Sequence, residues 1–152
     1  MLPKWHILFG ALVSIILYLF FNLTLYQTLI VFLSSIVVDF DHYLYYIFKY
    51  KKIGIREAYN CFSKKREKWI SLKPEEREKY KRYIFIFHGV EFWIILIFFF
   101  FINKFFLWIL IGITLHMILD FTEIFYNKEP FYTKFSQILV FIKNKNVYII
   151  SI

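Results

Sequence analysis

The sequence predicts an all-α integral membrane protein: a bundle of four transmembrane helices with a basic cytoplasmic loop helix between the second and third. Three observations predict it. Apolar runs at residues 7–23, 27–48, 83–102 and 105–126 approach the ~20 residues that a helix rising ~1.5 Å per residue needs to cross hydrocarbon. None of them alternates apolar and polar residues as a barrel strand would, and only helices and closed barrels satisfy their backbone groups in lipid. The chain has 152 residues, 60% hydrophobic and 24% aromatic, more apolar surface than a soluble core of that size would hide.

The first helix enters behind Pro3 and carries His6 near its start. With no small-residue cleavage site after the run, it reads as a retained span rather than a removed signal. Asn22-Leu-Thr24 forms an outer turn and matches a glycosylation sequon, a triplet common by chance. The second helix returns with Asp39, Asp41 and His42 near its inner end. Residues 49–82 are the one soluble-looking stretch. Within it Ile55, Ala58, Tyr59, Phe62, Trp69 and Ile70 fall mostly on one helical face, with Lys64, Lys65, Arg66 and Lys68 around it. That pattern fits either a helix on the membrane surface or a cover packed on the bundle end. A helix starting near Pro74, with Glu75 and Glu76 in its first turn, meets no breaker before the third span and is expected to run into it.

The third helix carries His88 and Glu91, and Asn103-Lys104 turns the chain outside. The fourth carries His116 and Asp120, with Glu123 near the boundary and expected to be solvated. The phenylalanines at 98–101 read as lipid-facing filler. The transmembrane unit is thus 1–126 and the tail 127–152, with a short surface helix at 131–142 and an apolar end at 147–152.

Charge sets orientation. Thirteen of the nineteen Lys and Arg lie between Lys49 and Arg82, four more follow the fourth run, and Lys4 precedes the first. By the positive-inside rule both termini and the central loop are cytoplasmic, in a multi-pass protein of the cell membrane. The net charge of +8 therefore speaks for anionic lipid, and no nucleic-acid motif is present. The single cysteine, Cys61, excludes an internal disulfide and a thiolate zinc site, and reads as an interfacial thiol.

All four histidines fall near one depth, roughly 5–15 Å inside the cytoplasmic boundary at ~1.5 Å per residue. His116 and Asp120 are i,i+4, while His88 and Glu91, and Asp39 and His42, are i,i+3, so each pair shares a helix face. Asp41 is turned away in a regular helix, so it either supports a neighbour or marks a local distortion. Buried carboxylates in lipid are costly unless paired, and no Lys or Arg other than Lys4 is expected at that depth. Taken singly, His6 reads as an interface residue and each His–acid pair as a hydrogen bond. Agreement across four segments points instead to a divalent metal, one or two ions of zinc, manganese or iron, held by His6, Asp39, Asp41, His42, His88, Glu91, His116 and Asp120. An open coordination position would activate water, with Glu91 or Asp120 as base.

In order, His6-Ile-Leu-Phe-Gly10, Val38-Asp39-Phe-Asp41-His42, His88-Gly89 and Gly112-Ile-Thr-Leu-His116-Met-Ile-Leu-Asp120 resemble the motifs of the YdjM-like inner-membrane proteins, described as membrane-bound metal-dependent hydrolases. The resemblance runs from His6 to Glu123 and implies a metal centre at these positions. Two residues depart from the pattern: Val38 stands where the family has proline, leaving helix two free to continue, and Trp93 stands at a histidine position, where Glu91 is the replacement ligand. The expected function is hydrolysis of a phosphoester or lipid-like ester at the inner membrane face, with membrane lipid, anionic phospholipid or an amphiphilic phosphoester as partner. The alternative is a metal-ion or proton-handling membrane protein. Apart from Ser14 and Tyr18, the outer halves at 12–21 and 94–102 are nearly free of polar groups, which argues against a through-path.

Overall fold

The computed structural model describes residues 3–147, and among these the chain is helical with no strand. In chain order the helices are α1 (Pro3–Phe20), α2 (Leu25–Val37), α3 (Phe40–Tyr50), α4 (Ile55–Ser71), α5 (Pro74–Arg77), α6 (Val90–Ile102), α7 (Phe105–Tyr126), α8 (Tyr132–Phe135) and α9 (Gln137–Asn144). Most of the apolar end expected at 147–152 lies outside the described residues.

Among the described residues three stretches are long and apolar enough to cross a membrane: α1, the kinked run Leu25–Tyr50 that joins α2 to α3, and α7. That marks a membrane protein by length and composition. The run at 83–102 departs from expectation: only Val90–Ile102 is helical, 13 residues of it. Nor does a helix run from Pro74 into it, because α5 stops after four residues. Residues 81–85 have no regular structure, and a turn follows at 86–89. The expectation missed that this segment has partners elsewhere. Asn144 on α9 brackets Arg82 through its backbone N–H and carbonyl, both at 2.8 Å. Gln137 accepts from Phe85 N at 3.0 Å and donates to the His88 carbonyl. Backbone groups that a helix would satisfy internally are satisfied by the tail instead.

Helix α7 is the axis of the bundle, with α1, α2 and α6 packed around it. Small residues set the closest crossing. A Cβ at Gly112 would run into Ser34 Oγ and the Val31 carbonyl, and would lie 3.0 Å from Ser35 N. Close backbone approach through small residues is how helices associate in lipid, where burial of apolar side chains gives little drive. The hydroxyls at this crossing are satisfied within their own helix, Ser34 Oγ on Ile30 O and Ser35 Oγ on Phe32 O, both at 2.7 Å. Val38, Leu96, Ile113 and Met117 form the buried core, with Trp93 and Phe92 packed against it. Trp93 thus packs into the core, its buried Nε1 without a hydrogen-bond partner among the described residues. The outer faces stay apolar and open: Phe101 is 80% exposed and Leu19 63%.

Capping defines the ends. Thr24 and Gln27 make a reciprocal capping box at the start of α2, with Thr24 N donating to Gln27 Oε1 at 2.8 Å. Lys51, in the left-handed region at φ 55°, ends α3. Helix α4 is a cover held to the bundle end. Arg66 pairs with Glu123 at 2.6 Å, and Trp69 Nε1 donates to Glu129 at 3.0 Å. Glu123, expected in solvent, is thereby paired and largely buried. Buried Arg77 donates to the carbonyls of Leu72, Ile70 and Asn127, locking the end of α4 to the end of α7.

Candidate metal centre

Helix two does not continue through Val38. It stops at Val37, and the next bonds are i to i−3: Asp39 N to Ile36 O at 3.1 Å and His42 N to Asp39 O at 3.1 Å. This tightened turn, formed without the proline, is the local distortion that Asp41 required. It lets carboxylates two residues apart reach one cluster, which a regular helix forbids.

The donors come from separate segments of the chain. Helix α1 brings His6, the kink brings Asp39, and α3 brings Asp41 and His42. The turn before α6 brings His88, and α7 brings His116 and Asp120. His6, His88, His116 and Asp120 are wholly buried. His88 is therefore not on a helix face shared with Glu91, as the spacing implied, but in the turn that the tail holds.

Hydrogen bonds on the far side of two rings fix their tautomers. His116 Nδ1 lies 2.9 Å from the Ser35 carbonyl, which can only accept, so Nδ1 carries the proton and Nε2 a lone pair. His88 Nδ1 lies 3.1 Å from Asp41 Oδ2, and the same logic leaves its Nε2 as a lone pair. The two Nε2 atoms then face each other at 3.2 Å. Two lone pairs repel at that distance unless a proton or a cation lies between them.

The surrounding oxygens favour a cation. Asp120 Oδ2 lies 3.4 Å from His88 Nε2 and 3.5 Å from His116 Nε2. Asp39 Oδ1 lies 3.7 Å from each of the same two nitrogens. Donors bound tetrahedrally at 2.0–2.1 Å stand about 3.3 Å apart, so these separations are close to the edges of a zinc-sized tetrahedron. His6 adds a fifth donor. Its Nε2 is 3.6 Å from Asp120 Oδ1 and 4.0 Å from Asp39 Oδ2, and its ring lies flat on His116. Among the described residues both His6 nitrogens and Asp39 Oδ2 lack a hydrogen-bond partner, although buried. Buried polar atoms are seldom left so, and a metal would use them.

Asp41 and His42 stand around this set. Asp41 accepts from His42 Nδ1 at 2.8 Å, from Phe87 N at 3.2 Å and from His88, so its oxygens orient two imidazoles. The His42 ring stacks on Phe85 and is the most exposed imidazole, 24% open. It forms a separate donor group with Asp39 and His88. Glu91 has other partners. It accepts from Ser136 Oγ, from Gln137 N at 3.2 Å and from Ile138 N at 3.1 Å, a carboxylate cap on the N-terminus of α9.

One functional residue escaped the sequence reading. Lys134 Nζ, on α8, stands 2.8 Å from Asp120 Oδ2, so the acids do have a lysine partner. Burial alone would lower its pKa, but the Asp120 carboxylate outweighs that and holds the ammonium above its ordinary range. The only signal in sequence was one lysine in an apolar tail helix. Three carboxylates, Asp39, Asp41 and Asp120, against this ammonium leave a surplus of two negative charges at neutral histidine, which suits a divalent ion. No protein family, curated protein or solved structure matches the chain.

Proposed function

We propose that this chain is a membrane-embedded, metal-dependent hydrolase acting on a phosphoester or lipid-like ester at the inner membrane face. In this reading α6 is a short fourth span, and both termini and α4 are cytoplasmic. The observation that carries it is the donor set: Nε2 of His88 and His116 with Asp39 Oδ1 and Asp120 Oδ2, at separations of 3.2–3.7 Å for every pair cited above. Imidazole with carboxylate fits zinc, manganese or iron, and His6 would complete a fifth position or serve a second ion. These residues would hold a divalent ion, whose chemistry would be to lower the pKa of water toward neutrality and so supply a nucleophile.

The chain's own residues would do the rest. Asp41 keeps His88 in the tautomer that binds metal. Asp120 Oδ1, facing His6 at 3.6 Å, is our candidate proton acceptor, because Glu91 is engaged as a cap. Lys134 adds positive charge where a phosphoryl oxygen would need it. The activity agrees with what the resemblance to the YdjM-like proteins implies.

The test combines metal analysis of detergent-purified protein with a phosphoester screen in added manganese or zinc. We expect stoichiometric metal in the wild type, its loss in His116→Ala, and turnover only by the loaded protein. Equal metal in both proteins would reject the donor set. Tight stoichiometric metal without turnover would favour a cation-handling protein.

A further inference from the structure

Beside the metal centre lies a cavity of about 610 Å³, within the range of sites for small molecules. Asp39, His42 and Lys134 are among its lining residues, so it borders the edge of the donor cluster, whose His6, His88, His116 and Asp120 stay buried behind them. Its walls are apolar: Val37 and Phe40 from the kinked run face Tyr59 and Phe62 from α4. Val37 is 55% and Phe40 49% exposed, so these two lining residues are open on the outside of a helix apolar enough to span. Lys65, Arg66, Lys81, Arg82 and Lys134 also line the cavity, with Asp39, Glu123 and Glu129.

We infer that this cavity holds an amphiphile with a single phosphate head group and one long apolar chain, the head over the metal centre and the chain leaving between α3 and α4 toward lipid. The inference rests on the hydrolase reading and names its substrate class. Charge and shape decide the occupant. The cavity's five cations exceed its three acids, but the adjoining Asp41 and Asp120 bring the balance to zero, so a loaded metal supplies the positive charge that an anionic head would meet. A free phosphate would leave the aromatic walls without a partner, whereas a chain buries them at ~0.8 kcal/mol per methylene. Helix α4 then has a specific task. Held by Arg66–Glu123 and Trp69–Glu129, it roofs the chain, which explains an apolar face set in a basic helix.

The test uses full-length protein in nanodiscs, zinc-loaded and metal-free, with a long-chain alkyl phosphate bearing a terminal photoactivatable group. Cross-links should map to residues 40–70, and more strongly in the zinc-loaded form. Excess unlabelled alkyl phosphate should cut labelling about tenfold, the mark of one competed site. Inorganic phosphate, or an alkyltrimethylammonium of the same chain length, should leave labelling nearly unchanged. Ala58→Trp, which places an indole in the cavity wall, should also reduce labelling, although the competition arms need no variant. Labelling confined to the outer faces of α1 and α7, or indifferent to alkyl phosphate, or displaced equally by the ammonium, overturns the inference. Labelling within 40–70 without phosphoester turnover would uphold the chain site and reject the hydrolase reading. Turnover of a water-soluble phosphoester without such labelling would do the reverse.

Discussion

Lys134 Nζ stands 2.8 Å from Asp120 Oδ2, an oxygen that also faces both His88 and His116. A fixed ammonium therefore competes for the same carboxylate as an incoming ion. Lys134→Met should raise zinc affinity at least tenfold, since a like unit charge about 4 Å away is already worth about 1 kcal/mol in bulk water and about 4 kcal/mol near a protein surface. It should also lower phosphoester turnover, since the same charge faces the cavity. Competition titration against a zinc chelator reads the first effect. An unchanged affinity would mean that the ion does not sense Lys134.

Asp41 is assigned to orient rather than to bind. Asp41→Asn should lower metal affinity by about 10–100-fold yet keep its stoichiometry at saturation, as losses behind a ligating histidine usually do. Asp120→Ala should remove the metal outright. If the two variants were equally empty on metal analysis, Asp41 would be a direct ligand.

Glu91 gives the opposite contrast. Its oxygens cap α9, so Glu91→Ala should destabilise the docked tail by about 1–3 kcal/mol, the penalty for leaving buried donors unpaired. Proteolysis beyond residue 127 should accelerate while metal content stays whole. Loss of metal with an undisturbed tail would restore Glu91 to the ligand set.

The two helix-crossing glycines should respond unequally. At Gly112 an added methyl meets the Val31 carbonyl, which cannot step aside, and Gly112→Ala should cost about 1–3 kcal/mol through overpacking. At Gly10 the obstacle is the Ser35 hydroxyl, which can turn if it gives up its bond to Phe32 O. Gly10→Ala should therefore cost less, partly offset by alanine's higher helix propensity, about 1 kcal/mol. Thermal unfolding in detergent compares them, and an equal loss would contradict the crossing geometry.

Helical class, apolar length and the gathering of histidines were legible because they are properties of composition and spacing. His6, Asp39, His88, His116 and Asp120 lie close together in overlapping groups. Three things were not fully legible, each for a physical reason. The break at Val38–Asp39 was legible only as one of two readings of Asp41, because no proline or glycine announces it; there both carboxylates turn toward histidines. The non-helical stretch before Gly89 looks like span by hydropathy, since the side chains that hold it, Gln137 and Asn144, lie some fifty to sixty residues away. Lys134 was invisible because an ammonium in a tail carries no depth signal until the tail docks.

Helix α6 has 13 residues, roughly 20 Å at ~1.5 Å per residue, against about 30 Å of bilayer hydrocarbon. If α6 spans, either the leaflet thins around it or the His88 turn descends into the fatty-acid layer, sheltered by α9. Bilayers of longer lipids would then pull on the turn that carries a metal donor. Mismatch costs only fractions of a kcal/mol per ångström, but here that force would act on His88 itself. A protein built in this way would register membrane thickness at its buried histidine–aspartate cluster.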